Sequence, residues 1–225
     1  MPAWPLALAC WLLPTGVVIA CFALSVRLGL IDGCFPFTDG CTSISAACRK
    51  EPVIHLFRSV MLPSATLLAA QWLVVGAWLG RLGERGRARN WIVFLGVTGA
   101  VFAILYAVFL GTDGPAYNLM RRYGVTVYFG FTALAELVLA ARLARLAARG
   151  PHAPGAGIAR AMVAFGAVML ALGLANVVFA NFLDNDRAEN VIEWYFALVM
   201  HGYFGVLALA WRRAGRRLSL TGPAH

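Results

Sequence analysis

Charge is what this chain has least of. Only 13% of its 225 residues are Asp, Glu, Lys or Arg, while 61% are hydrophobic; a soluble domain carries roughly 25% charged residues. That shortage excludes a protein whose whole surface meets water. Lysine is rarer still, since Lys50 is the one lysine among 19 basic residues and the other 18 are Arg. A net charge of +9 would suit nucleic acid. The basic residues gather instead in short segments between apolar runs, as they do in cytoplasmic loops of membrane proteins, so no nucleic-acid partner is expected. Strong catalytic patterns are missing too: H-E-x-x-H, G-x-S-x-G and H-x4-D do not occur. No inverted repeat is evident, which weakens an ion-coupled transporter.

What the chain does have is apolar length. Six runs of about 20 residues or more lie near 5–31, 54–80, 91–111, 124–147, 159–183 and 191–211, each enough to cross ~30 Å of hydrocarbon at ~1.5 Å per residue. Every connection is short, so the expected fold is all-α: one polytopic bundle of six transmembrane helices spanning 1–225. Met1 to Trp4 carries no Lys or Arg, and the first run is therefore expected to stay as a helix and not to be cleaved as a signal. Val18-Ile19-Ala20-Cys21 is only loosely like a lipoprotein processing box. Cys10 and Cys21 read as buried helix residues, and Pro14 as a kink.

Arginine placement orients the bundle. Segments 81–89 and 142–160 and the tail after Trp211 each hold four Arg, twelve in all; the other three connections hold Arg49, Lys50, Arg121, Arg122 and Arg187, five in all. By the positive-inside rule both termini are expected in the cytoplasm. The loop 32–53 then faces outside, with Cys34, Cys41 and Cys48 spaced C-x6-C-x6-C. Disulfides persist in such a compartment, so one bridge within the loop is expected, Cys34 to Cys41 or Cys41 to Cys48. Three free thiols are the alternative, and the wide spacing argues against a metal site.

Polar residues inside apolar runs are costly and need a partner or a purpose. Counted from the outer ends of their runs, Glu136 and His201 both fall at ~15 Å depth, so they are expected to pair. His55 is too far from His201 in depth for the two to share a haem, and no cofactor or metal is expected. Nearer the outer surface converge His55, Arg58, Asp113, Tyr117, Asn118, Arg121, Arg122, Asn176, Asn181, Asp184, Glu193 and Trp194. Glu193, Ala197 and His201 recur every four residues and share one helix face. An Arg and an Asn at headgroup depth suit a phosphate or glycan-bearing headgroup, which makes Arg58, Asn118, Glu193, Tyr117 and Arg121 the expected lipid site. A structural Arg58–Glu193 bridge and interfacial anchoring are the competing readings.

Three stretches, SISAACRKEPVIHLFRSVMLPSA, GPAYNLMRRYGVTVYFGFTALAE and AENVIEWYFALVMHGYF, resemble the recurring outer-side segments of the Frag/DRAM/Sfk family of six-helix membrane proteins. The matching elements are Ser43, Ser45 and Ala46, then Arg58, then Tyr117 and Asn118, then Glu193 and Trp194. Tyr117 stands where relatives often have His. The resemblance implies lipid handling, since members include a factor for lipid remodelling of GPI anchors, autophagy modulators and a protein tied to phosphoinositide signalling. Arg over Lys and an Ala/Gly/Leu-rich composition fit a bacterial member in the inner membrane, where GPI anchors are ordinarily lacking. Two functions are carried forward. One is a factor that engages or helps to remodel lipids through the outer polar site, with membrane lipids as partners and a membrane-protein partner or homo-oligomer open. The other is an acyl- or headgroup-transfer enzyme with His55 or His201 as base and Glu193 or Glu136 as proton carrier.

Overall fold

The computed structural model describes residues 3–147, 155–183 and 185–213. Six long helices dominate: α1 Trp4–Arg27, α4 Val53–Arg81, α5 Arg87–Phe109, α6 Pro115–Ala147, α7 Ala156–Val178 and α8 Asp186–Arg213. Two short ones, α2 Pro36–Asp39 and α3 Ile44–Cys48, lie in the first long connection. A π-helical turn, Phe179–Leu183, extends α7, and among the described residues there is no strand. All six long helices are long and apolar enough to cross a membrane. The protein is an all-α, multi-pass integral membrane protein.

Local chemistry sets the helix ends. Pro36 opens α2 and Pro115 opens α6, where a missing N–H costs nothing. The Ser43 hydroxyl accepts from the Ala46 amide at 3.1 Å and starts α3, and Asn185 Oδ1 accepts from the Ala188 amide at 3.1 Å and starts α8, both as N-caps. Asp186 and Glu189 sit in the first turn of α8 and Arg212 and Arg213 in its last, matching the helix dipole at both ends.

The long helices close a ring in the order α1, α4, α5, α6, α7, α8. Small residues let them approach. A Cβ on Gly99 would sit 2.7 Å from Thr132 Oγ1, one on Gly124 2.9 Å from the Tyr106 amide, and one on Gly205 2.6 Å from the Trp11 ring. Inside lipid, where helices gain little from mutual apolar burial, such closeness is what holds them together. Trp72, Tyr203, Phe204 and Met200 fill the centre. At one end Arg212 lies 6.0 Å over the Trp4 ring and Trp78 meets Trp211 edge-on at 5.7 Å, so the start of α1 and the end of α8 are together. At the other end sit α2 and α3, and we call this the capped end.

Three expected boundaries differ. Helix α1 stops at Arg27 and not at 31, α8 starts at Asp186 and not at 191, and α6 starts at Pro115 and not at 124. Hydropathy marks the stretch that suits lipid, while the backbone hydrogen-bond ladder runs on through polar turns. Asp184 and the basic residues beyond 213 fall outside the described residues.

Candidate functional site

At the capped end α2 and α3 lie across α1 and α8. The Trp194 indole donates to the Thr42 carbonyl at 2.9 Å, the Asn190 side-chain amide to the Gly40 carbonyl at 2.9 Å and the Ser25 hydroxyl to the Ala47 carbonyl at 2.7 Å. Phe37 packs edge-on against Trp194 at 5.5 Å and Tyr195 at 5.3 Å. The Glu193 carboxylate faces the amides of Ile44 and Ser45, at the N-terminus of α3. Gly40 has φ +58° and a Cβ there would collide with the Arg187 carbonyl, so this residue must be glycine for the loop to seat on α8. In α2 the Asp39 carboxylate accepts from the Phe35 amide at 2.9 Å and the Thr38 hydroxyl at 2.8 Å, and these bonds hold its pKa below the ordinary value.

Cys34 and Cys41 are joined in a disulfide with Cα atoms 6.6 Å apart. Of the two expected pairings the first therefore holds. Cys48 remains a free thiol, fully buried, because α3 turns it inward against α1. The neighbouring Cys21 thiol, together with burial, raises its pKa well above the ordinary thiol value.

The expected headgroup set is divided. Arg58 donates from Nη2 to the carbonyls of Val108 at 3.0 Å and Leu110 at 2.7 Å, and from Nε to that of Ala107 at 3.3 Å. It thus caps the C-terminus of α5, whose last carbonyls lack partners within the helix, and it does not bridge Glu193. Tyr117 stacks on Phe109 at 5.6 Å and 27°. Tyr117 and Asn118 are exposed and Arg121 half-buried on the first turns of α6, a helical placement in what the sequence marks as loop. His55 is exposed, 3.8 Å from Glu51. Asn181 donates to the Val177 carbonyl at 2.8 Å. Among the described residues no three of His, Cys, Asp and Glu converge to hold a metal ion.

In the bundle centre His201 pairs with Tyr128 and not with Glu136. Tyr128 Oη and His201 Nε2 are 2.8 Å apart, and both residues are buried. The carboxylate oxygens of Glu136 are buried with no hydrogen-bond partner in the structure; the Tyr203 hydroxyl donates to its backbone carbonyl at 3.0 Å. The expected Glu136–His201 pair fails on depth. His201 lies 15 residues beyond Asp186 and Glu136 21 beyond Pro115, a 6-residue difference worth ~9 Å along the helix. Gln71, Thr132 and Tyr106 also bury polar atoms without partners. A glutamine inside an apolar run is visible in sequence; that Tyr128 and Tyr203 turn their hydroxyls inward is not.

His201 also borders two small spaces flanking Pro14. An enclosed one of about 10 Å³ lies among Cys10, Ser64, Tyr128 and His201. The other, of about 20 Å³, is a crevice between α1 and α8, walled by Val18, Ile19, Ala197 and Leu198, roofed by Phe37, Ile44 and Trp194, with Thr15 and His201 inside. Pro14 cannot donate to the Cys10 carbonyl and its ring pushes that carbonyl aside, which places the looser packing here. Ile19 is 50% and Leu198 40% exposed, so the crevice opens sideways on the lipid-facing surface. Of the expected stripe, Ala197 and His201 line its α8 side, while Glu193 turns to the α3 amides. No family model, curated protein or solved structure matches the chain.

Proposed function

We propose that this membrane protein engages a lipid at its capped end, which the arginine asymmetry assigns to the non-cytoplasmic side. The observation that carries the reading is the α1/α8 crevice. Its walls are apolar, it opens toward the acyl chains, and its floor holds Thr15, whose buried hydroxyl has no hydrogen-bond partner in the structure. At about 20 Å³ the crevice admits one small polar group, such as an ester or amide oxygen facing Thr15, while the acyl chain would lie outside it along the exposed Ile19 and Leu198. In this reading Arg58 and Glu193 support the site, Arg58 by fixing α5 and Glu193 by fixing α3. Tyr117, Asn118 and Arg121 form a headgroup-level patch on α6. The family resemblance, with its lipid-handling members, points the same way.

A second reading, acyl or headgroup transfer, has one specific observation in its favour: His201 reaches the crevice with its ring nitrogen already bonded to a tyrosine hydroxyl. One experiment separates the two. Gently purified protein, its Leu198→Trp variant and its Ala197→Trp variant are compared for co-purifying lipids by mass spectrometry. Lipid engagement expects one lipid class enriched in the parent and lost when the crevice is filled, with the melting temperature kept in at least the Leu198→Trp variant. An unchanged lipid complement in a folded, filled variant removes the proposal. Turnover of the enriched class by parent protein, lost in His201→Gln, moves the assignment to the enzyme.

A further inference from the structure

Two cysteines outside the loop disulfide face each other from different elements. Cys21 is six residues before the end of α1, and Cys48 is the last residue of α3. Both are completely buried. Two contacts fix the approach: the Cys21 thiol reaches the Val53 carbonyl at 3.9 Å, and one helical turn further along α1 the Ser25 hydroxyl donates to the Ala47 carbonyl at 2.7 Å. Cys21 and Ser25 share a helix face and Cys48 follows Ala47, so the two thiols are brought side by side. Cys10, the remaining free thiol, is eleven residues back along α1, ~16 Å away, and takes no part.

We infer that Cys21 and Cys48 form a redox-active dithiol that closes into a second disulfide, tying α3 to α1. Two buried thiols that neighbouring contacts bring side by side need only the backbone adjustment a disulfide's geometry demands. The co-reactant is a disulfide, of small-molecule or protein class. One thiol, deprotonated, attacks a sulfur of that disulfide and expels one thiolate, leaving a mixed disulfide. The second cysteine then attacks the protein-side sulfur and expels the other thiolate. The pair gives up two electrons and two protons, one protein S–S bond forms, and the incoming disulfide leaves as two thiols. Burial means that the reaction waits on α3 lifting from the bundle. Once formed, the bond holds α3 down, and with it Ile44, which roofs the α1/α8 crevice. The thiol chemistry stands whether or not that crevice takes a lipid.

Full-length protein in detergent is incubated with oxidised glutathione, alkylated without reductant and mapped by mass spectrometry; a parallel sample receives alkylating agent alone. Three thiols are free at the start, Cys10, Cys21 and Cys48. The expected result is a Cys21–Cys48 cross-linked peptide that appears alongside the Cys34–Cys41 one and reverts with dithiothreitol. The Cys34→Ser/Cys41→Ser variant is expected to form it as well, which separates it from reshuffling. If the parallel sample alkylates Cys48 and the oxidised sample shows only glutathionylated or free Cys48, the pair is not a dithiol site. Cys48 joined to Cys34 or Cys41 overturns the inference equally, as does a Cys21 and Cys48 that neither alkylate nor oxidise on long incubation.

Discussion

Arg58 gathers four acceptors, three carbonyls at the end of α5 and the Thr112 hydroxyl at 3.4 Å. A charged group in that position satisfies orphan carbonyls and meets the negative end of the α5 dipole at once. Arg58→Ala is expected to cost on the order of 1.5–3 kcal/mol, the range of hydrogen bonds to a charged group, read as a lower melting temperature in detergent. Arg58→Lys is expected to recover only part of the loss, because an ammonium cannot span several carbonyls as the planar fork does. A variant that melts like the parent while losing bound lipid would show that the guanidinium serves a headgroup and not the helix. The sequence identified Arg58 as a residue with a purpose. It could not give the purpose, since the partners lie fifty residues away and are backbone atoms, whose positions no side-chain pattern reports. Glu136 and His201 were legible in the same limited way: each is conspicuous in an apolar run, but pairing them required knowing where two helices start.

Elements were legible in type and less so in extent. All six long helices follow from apolar length alone, because a bilayer permits little besides a helix where backbone groups must bond internally. Their polar ends do not follow, since the turns of α6 from Pro115 to Tyr123 look like loop by composition. Elements α2 and α3 were hidden inside a segment read only for its cysteines. What holds them is tertiary: Trp194 and Asn190 of α8 bond to the loop's carbonyls. Trp194→Phe keeps the ring contacts with Phe22 and Phe37 and removes the indole donor. Leaving the Thr42 carbonyl without this donor is expected to cost about 1 kcal/mol. Faster alkylation of Cys48, as α3 opens more often, is the expected readout. An unchanged Cys48 rate in Trp194→Phe would mean that the aromatic packing alone seats the cap.

Across the whole molecule the two ends differ in kind, one rich in arginine, the other closed by a disulfide-bearing cap. Reporter fusions placed near Arg85 and Gly155 are expected to give cytoplasmic signals, and a fusion within the loop between Cys34 and Cys48 an external one. An external signal at Arg85 would reverse the orientation and remove the oxidising surroundings that the disulfide needs.

Helix α8 is at once the least apolar of the six spans and the most buried, and this bears on how the protein is made. It emerges from the ribosome after the other five, carrying Glu189, Glu193 and His201, and alone in lipid those residues would be expensive to insert. By then α6 already presents Tyr128 for His201, and the cap already offers carbonyls to Asn190 and Trp194. The polar groups that make α8 a poor membrane helix on its own are the ones that earlier-made segments are shaped to receive, so its entry into the bilayer is coupled to assembly. Chains that stall before the cap closes should leave α8 exposed to quality-control proteases, while the five earlier helices are already in place.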